Sequence, residues 1–416
     1  MRSWKLLWLV LGGWCGGAAA LTFDEALQRA GQAPDIVAGS AERAALAEVR
    51  VAAGRLPDPR LQLALDDFST DGEGRYRLSD AKRMVSLMQE IPAAAKRDAQ
   101  IRQAEAALDA SGREQEFVRL AVRRETSLAW VRLYFLGQKR AVLEQQALEL
   151  RRRQDTTRTA LAAGGAADEA LEALIDEQDL RDAFDTLARD IRLARANLAR
   201  WTGAFPQSET ATGSLPAWLE KPAAGVEKSG DTEDENAAIP TELRASQARI
   251  RMAQAEVAMA EADTASDWSV EFGVGQDAMG NGMVMAKVGI SLPLFGATRQ
   301  APKIAAARRM LEKSDAEHAM RRAEFLRQQA ELEAEEAALE ARLRRLESET
   351  LPLIAHKIAL AEAAFSAGQG SAAALIMARE KRLAAQGDAI ELAGERALVR
   401  VKLHYLLHRG EDTAHE

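Results

Sequence analysis

The chain has little of what stabilises a compact globular core. Among its 416 residues there is one cysteine, and aromatic residues make up only 5%. Because that cysteine, Cys15, lies near the amino terminus, the rest of the chain can form neither a disulfide bond nor a cysteine metal site. Proline is absent from Ala93 to Trp201. The formal charge is −8 and no basic block occurs, so nothing indicates a nucleic-acid partner.

The residues that are abundant favour helices. Alanine, leucine, glutamate, arginine and glutamine dominate, and 28% of the residues are charged. This composition is typical of long exposed helices. No nucleophile–base arrangement and no phosphate-binding loop occurs, so we expect neither an enzyme nor a cofactor. His404 and His408 have a helical spacing that can bind a metal, but no third ligand stands near them, and we assign no metal site.

The first residues have the pattern of a secretion signal. A positively charged start precedes the apolar run Leu6–Trp14, and Ala18–Ala20 offers a small-residue cleavage site. We therefore expect residues 1–20 to be removed. The alternative, a membrane anchor, needs about 20 apolar residues, more than this run contains. Lipid attachment at Cys15 is disfavoured because bulky Trp14 stands where lipoprotein signals have a small residue.

Four stretches alternate between apolar and polar residues, which predicts strands at about 60–68, 84–91, 268–275 and 284–294. Their length is close to the roughly 9–11 residues with which a tilted strand crosses a bilayer. One apolar and one polar face is the pattern of a lipid-facing barrel. A soluble sheet packed on helices would alternate in the same way. The secretion signal and the lack of any other sheet favour the membrane.

The order of predicted elements occurs twice. Residues 21–203 and 241–410 each read as helix, strand, strand, long helix, glycine-containing turn and returning helix. A linker, residues 204–240, separates the two repeats, and residues 411–416 form a polar tail. The second strand of each repeat ends at a proline, Pro92 or Pro293, directly before a long helix. Leucines at alternating spacings of three and four residues predict coiled-coil packing of these helices. Pro352 is expected to kink the second long helix.

The duplicated plan resembles the TolC family of outer-membrane efflux ducts. The segments that carry the resemblance are APDIVAGSAE, LPDPRLQLAL, MQEIPAAAKRDA and VGISLPLFGATR, followed by alanine-rich helix. LPDP together with QEIP and the KR after it is most similar to the heavy-metal cation-efflux branch (CzcC/CusC-like). The resemblance implies a mainly α protein with a membrane β-barrel. Three chains would share a barrel of about twelve strands, four from each, above an α-helical barrel.

The same resemblance implies a function and its partners. The chain would be the outer-membrane channel of a tripartite efflux system, in the cell outer membrane with a long periplasmic helical extension. As a homotrimer in outer-membrane lipid, it would receive substrate, heavy-metal cations in this branch, from a periplasmic adaptor and an inner-membrane pump of the resistance-nodulation-division type. The transported substrate does not follow from the sequence, because a duct contacts its cargo loosely and specificity should reside in the pump.

The resemblance also implies two candidate sites. The periplasmic turns are expected to contact the adaptor, through Gly164, Gly165, Gly368 and Gly370. Family members often carry acidic gate residues after the second turn, but here Ala374 and Met377 occupy that stretch. Asp168 and Glu169, after the first turn, are therefore the candidate gate residues. They fit equally well as carboxylates that the dipole favours at a helix start.

A second class of function stays open. A periplasmic coiled-coil adaptor, or a structural protein without a pore, would also be secreted and rich in long helices. Adaptors carry a single helical hairpin between β-rich domains, and this chain lacks such domains.

Overall fold

The computed structural model describes residues 21–67, 81–162, 167–205, 210–220, 239–277 and 279–408. The chain divides into two compact units. The helical unit comprises Met1–Ile36, Arg119–Asp231 and Arg327–His408, and the sheet unit comprises Val37–Val118, Thr232–Leu326 and Arg409–Glu416. No helix in the described ranges combines the length and the apolar character needed to cross a membrane.

The elements follow one another in the predicted order. The first half contains α1 (Phe23–Ala30), α2 (Pro34–Ala52), β1 (Arg60–Asp66), β2 (Lys82–Ile91), α3 (Ala94–Ala162) and α4 (Ala167–Thr202). A short helix, α5 (Ala217–Glu220), follows. The second half contains α6 (Thr241–Ala262), β3 (Trp268–Gln276), β4 (Gly282–Ile290), α7 (Ala301–Arg345), α8 (Leu351–Ser366) and α9 (Ala372–Leu407). The expected fold class, mainly α with four strands, is confirmed.

The four strands of the sheet unit form one antiparallel sheet in the order β1-β2-β3-β4. The two hairpins are joined because β2 pairs with β3, with Ile91 opposite Trp268 and Arg83 opposite Gln276. The strands lie where the alternation predicted them, with differences of a few residues at their ends. Strand β4 ends at Ile290, earlier than expected. One more backbone hydrogen bond follows, from the Ser291 N–H to the Asp267 carbonyl at 2.8 Å, and Pro293 beyond it has no N–H to continue the pairing.

The helical unit has an apolar core in which the leucine stripes meet. Leu133 and Leu143 of α3 are buried with Leu187 and Leu198 of α4, as their spacing predicted. Trp130 is fully buried, and its indole N–H donates to the backbone oxygen of Leu21 at 2.9 Å. The start of the described chain is therefore fixed against α3.

The second long helix passes Pro352 without ending. A single π turn, Leu346–Thr350, joins α7 to α8 directly before this proline. Proline lacks an N–H group, and its ring clashes with the carbonyl of the residue four positions earlier. A wider turn accommodates both effects, and π turns of this kind occur inside α-helices. A similar π turn, Gly296–Gln300, precedes α7 and its Pro302.

Candidate functional site

The first candidate site is the sheet, because its two faces differ in character. One face, which we call the aliphatic face, presents side chains that cross-strand pairing places in rows: Leu61, Leu63, Leu65, Val85, Leu87, Ile91, Trp268, Val270, Phe272, Val274, Val284, Val288 and Ile290. Leu63 is 77% exposed, Phe272 63% and Val284 85%. Large contiguous apolar patches on a protein surface mark contact with another protein or with a membrane.

The opposite face, which we call the mixed face, is more polar and more enclosed. At its centre the hydroxyl group of Ser86 donates to Glu271 Oε1 at 2.6 Å, and Lys287 Nζ lies 3.5 Å from Glu271 Oε2. Ser86 and Glu271 are both buried. The hydrogen bond and the ion pair offset the cost of removing a carboxylate from water. Gln62 of β1 and Ser269 of β3 point to the same face.

Asp267 ties together the junctions between strands and helices. Its Oδ1 accepts from the Ala93 backbone N–H at 3.0 Å, at the start of α3, and its Oδ2 accepts from Lys96 Nζ at 2.7 Å. Its own N–H donates to Ser291 Oγ at 2.8 Å, just after β4. Partial burial raises the pKa of Asp267, but the hydrogen bonds from Lys96 and Ala93 outweigh that effect, and the pKa is lowered overall. The carboxylate is thus held in its charged form.

The second candidate site is the turn between α8 and α9. Gly368 has a φ of 73°, a left-handed conformation that glycine adopts without strain. A Cβ atom on Gly370 would come within 2.9 Å of the Phe365 backbone nitrogen. Gln369 lies between the two glycines and is exposed. Ser371 caps the start of helix α9, and its Oγ accepts from the Ala374 N–H at 3.1 Å. The turn is tight, and it presents the Gln369 side chain to solvent.

The corresponding first turn lies largely outside the described residues. Gly164 and Gly165 belong to this undescribed stretch, which follows Ala162 and precedes α4. Asp168 and Glu169 occupy the first turn of α4, and both are exposed. This position agrees with a carboxylate placed at the positive end of a helix dipole. Their assignment as gate residues stays a prediction.

A buried charge cluster in the helical unit was not foreseen. The Arg153 side chain is only 9% exposed, and it lies 2.6 Å from Asp176 Oδ2 and 3.4 Å from Glu380 Oε2. It thus joins α3, α4 and α9. Burial raises the pKa of Glu380, and the nearby Asp176 and Glu149 carboxylates add to that effect, whereas Arg153 opposes it. In the sequence, charged residues on helices are predicted to lie on solvated faces, so no signal distinguishes the buried charges of this cluster from exposed ones.

The paired histidines have a different environment from a metal site. The His404 ring stacks on Trp218 with centroids 4.2 Å apart, and the His408 ring lies 6.1 Å from that of His404. Within the described parts of the chain, no group of three or more His, Cys, Asp or Glu residues could hold a metal ion. The short helix that contains Trp218 is held in place by Arg400, whose guanidinium donates to the Leu219 carbonyl at 2.8 Å.

Comparison with known proteins gives structural matches without sequence matches. No family model matches the chain, and no curated protein matches it. Among solved structures, the outer-membrane channel OprN has a TM-score of 0.75 at 16% identity, over 92% of this chain and 89% of that one. CusC, described in a study of transmembrane channel formation, has a TM-score of 0.73 at 14% identity, over 93% and 92%. The outer membrane protein VceC from Vibrio cholerae has a TM-score of 0.71 at 17% identity, over 92% and 95%.

Proposed function

Because the chain has the fold of the outer-membrane efflux channels of the TolC family, we propose that it is the outer-membrane duct of a tripartite efflux system. The observation that carries the proposal is the four-stranded sheet with its exposed aliphatic face. Water is a poor solvent for such a face, whereas lipid is a good one. We therefore assign the aliphatic face to outer-membrane lipid and the mixed face to the lumen.

A single chain cannot form a closed membrane barrel. Strands β1 and β4 are the edges of the sheet, and each has one side without a partner strand within the described residues. In lipid, unpaired backbone groups cost several kcal/mol each, so a membrane sheet has to close. Closed membrane barrels begin at about eight strands. Three copies would provide about twelve strands and an aqueous lumen, so the proposed assembly is a homotrimer.

The turns that follow the long helices are the proposed contact with the other components. Gln369 and its two flanking glycines form a compact tip that a partner can approach closely. We assign this tip, together with Gly164 and Gly165, to the periplasmic adaptor that links the duct to an inner-membrane pump. Asp168 and Glu169, in the first turn of α4, are the proposed gate residues. The proposed substrates are heavy-metal cations, on the strength of the similarity of LPDP and QEIP to that branch.

The test is to purify the mature protein in mild detergent, determine its mass by light scattering and measure its conductance in planar lipid bilayers. A trimer that forms discrete ion-conducting channels supports the proposal. A soluble monomer that does not insert would contradict it and would favour the periplasmic adaptor or structural protein. A variant with Arg in place of Leu63 is the matched control, because it should fail to insert while the helical unit keeps its helical content.

A further inference from the structure

One charged side chain lies on the aliphatic face of the sheet. Arg83 of β2 pairs with Leu65 and Gln276, and it is exposed on the same face as Val85 and Leu87. No other residue of the four strands on this face carries a charge. Within the described residues, the Arg83 guanidinium forms no ion pair or hydrogen bond with another side chain. An unpaired charge on a surface assigned to lipid needs a partner, because hydrocarbon does not solvate ions.

The position of Arg83 in its strand places it at one edge of the apolar surface. It stands near the start of β2, and Ile91, which pairs with Trp268 of β3, ends the same strand. The eight residue steps from 83 to 91 cover about 26 Å along a strand. With strands tilted by about 35–45°, that distance corresponds to roughly 20 Å of height, close to the apolar band of about 25 Å around membrane barrels. Arg83 and Trp268 therefore lie near opposite edges of that band.

The two edges differ in what adjoins them. At the Trp268 edge, the Asp267 carboxylate accepts from the Ala93 N–H, where α3 begins, so the long helix leaves the sheet on this side. In the proposed duct the long helices extend into the periplasm. The Trp268 edge is then the periplasmic boundary of the membrane, a place that tryptophan favours, and Arg83 lies at the outer boundary.

The chemistry of Arg83 at that depth selects phosphate. Its aliphatic stem can lie along the apolar surface while the guanidinium reaches the lipid headgroups. The planar fork of N–H donors matches the oxygens of a phosphate group and binds them in pairs. Gln276 adds an amide beside it, and a Cβ on Gly282, the next residue in the row, would meet no atom within 4 Å. The row therefore combines two donor side chains with open space for a headgroup.

The partner of Arg83 has to come from outside the sheet, because the acidic side chains of the adjacent strands, Asp66 of β1 and Glu271 of β3, lie on the mixed face. We propose that Arg83, with Gln276 beside it, binds the phosphate group of a lipid in the outer leaflet of the outer membrane. The inference rests on the proposed function, since only an inserted sheet presents this row to headgroups. It adds a defined site and ligand class to the aliphatic face.

The test measures lipid binding to the full mature protein in detergent by native mass spectrometry. The probes are dioleoyl phosphatidic acid, which exposes a phosphate group, and dioleoylglycerol, which has the same chains without it. Arg83→Gln should weaken binding of phosphatidic acid by roughly tenfold, as expected for the loss of a charged, paired hydrogen bond, and should leave dioleoylglycerol unaffected. Arg60→Gln is the matched control and should change neither affinity, because Arg60 of β1 is exposed on the mixed face.

Three results would overturn the site. The first is an unchanged affinity of Arg83→Gln for phosphatidic acid. The second is an equal loss in Arg60→Gln, which would indicate general attraction between positive charge and an anionic lipid. The third is displacement of phosphatidic acid by an excess of inorganic phosphate, which would indicate a site for the free anion rather than for a lipid.

A depth measurement tests the placement of Arg83 independently of affinity. Nitroxide labels are attached to Arg83→Cys or Leu87→Cys in lipid bilayers, and their exposure to oxygen is compared with exposure to a water-soluble nickel complex. The label at position 83 should report the depth of the headgroups, and the label at 87, farther along β2, should report hydrocarbon. Equal depths for the two labels would contradict the inference.

Channel formation separates this inference from the proposed function. If the unmodified protein forms trimeric channels but Arg83→Gln binds phosphatidic acid as tightly, the duct stands and the lipid site falls. If the protein stays a soluble monomer, the proposed function falls and the site falls with it. Trimeric channels, together with a loss of affinity in Arg83→Gln and none in Arg60→Gln, support both.

Discussion

At the scale of single residues, the most informative side chains are charged groups that the packing encloses. Asp267 and Arg153 each connect three separate segments of the chain. In the sequence they cannot be told apart from the many solvated charges around them, because enclosure depends on which helices come together. Sequence periodicity gives the buried leucines, such as Leu133 and Leu198, but it does not give the partners of a buried ion.

Asp267 gives a prediction with a defined pH dependence. Its pKa is lowered from the ordinary value of 3.8, so the stability it contributes is present above that value and is lost as the pH falls below it. Asp267→Asn should lower the midpoint of thermal unfolding by a few degrees at pH 7, for a loss of about 1–2 kcal/mol. The difference between the variant and the unmodified protein should shrink as the pH falls below 3.8. Asp263→Asn, at a longer 3.7 Å from Lys96, is the control and should have less effect.

Glu380 should have the opposite effect on stability at pH 7 from Asp267. Its pKa is raised, chiefly by burial, so its ionised form destabilises the folded protein above the ordinary value of 4.5. Glu380→Gln should therefore raise the unfolding midpoint at pH 7, and the gain should vanish as the pH falls below about 4. Arg153→Met should lower the midpoint, because it leaves several carboxylates without their shared cation. A loss of stability at pH 7 in Glu380→Gln would mean that its contact with Arg153 outweighs its burial.

At the scale of elements, the strands and long helices were predictable because each has a strong period. The alternation of apolar and polar residues predicted all four strands, and the absence of proline from Ala93 to Trp201 predicted the long helix α3. The pairing of β2 with β3 could not be read in this way, since period-two patterns fix faces and leave partners open. The kink expected at Pro352 stays a prediction. The π turn at Leu346–Thr350, just before the proline, was not predicted, because the sequence shows the proline but not how the helix accommodates it.

The two faces of the sheet can be tested with neighbouring residues of one strand. Leu63→Arg, on the aliphatic face of β1, should cost about 2–4 kcal/mol in the membrane if it lies near mid-bilayer. Gln62→Arg, on the mixed face, should be much milder. The measurement is the fraction of each variant recovered as folded protein in the outer membrane. Equal losses for the two variants would show that the faces are assigned wrongly.

The turn between α8 and α9 can be tested without straining its backbone. Substituting Gly368 would force a side chain into a left-handed conformation, so Gln369, which is exposed, is the better target. Gln369→Trp should leave assembly and conductance unchanged and should weaken adaptor binding, because a large ring blocks close approach. Gln369→Ser is the size control. Binding of the adaptor, measured on immobilised channel, should fall only for Trp, and an unaffected Trp variant would remove the turn from the interface.

At the scale of the whole molecule, the duplication was predictable from the repeated order of elements and the fold from the resemblance, and the structural matches agree with that fold over more than nine-tenths of the chain. The identities of 14–17% among these matches explain why no sequence comparison finds a family. A fold of helices and alternating strands constrains the polarity of a position far more than its identity. The efflux branch and the transported substrate depend on few residues, so both are harder to predict from the sequence.

The proposed assembly predicts which strands meet between chains. Because the mature chain is expected to contain no cysteine, new cysteines can report contacts cleanly. Cysteine at position 63 of β1, combined in turn with cysteine at 284, 286 or 288 of β4, should give disulfide-linked oligomers up to the trimer for at least one pair. Cysteine at 87 of β2 with the same β4 positions is the control and should give none, since β2 is an interior strand. Absence of cross-links in every β1 pair would count against a shared barrel.

The pairing of β2 with β3 also determines when, during synthesis of the chain, the sheet can form. Ser86 and Glu271, which bond across it, are separated by 185 residues, so in the proposed export the first hairpin would reach the periplasm before its partner strand. During that interval Val85 and Leu87 have neither the second hairpin nor a neighbouring chain beside them. Contacts so distant in sequence form slowly, and exposed strand edges aggregate. The proposed export of this chain would therefore require that the first hairpin be protected until the second half has been translocated, and the sheet could be completed only after the proposed secretion is nearly finished.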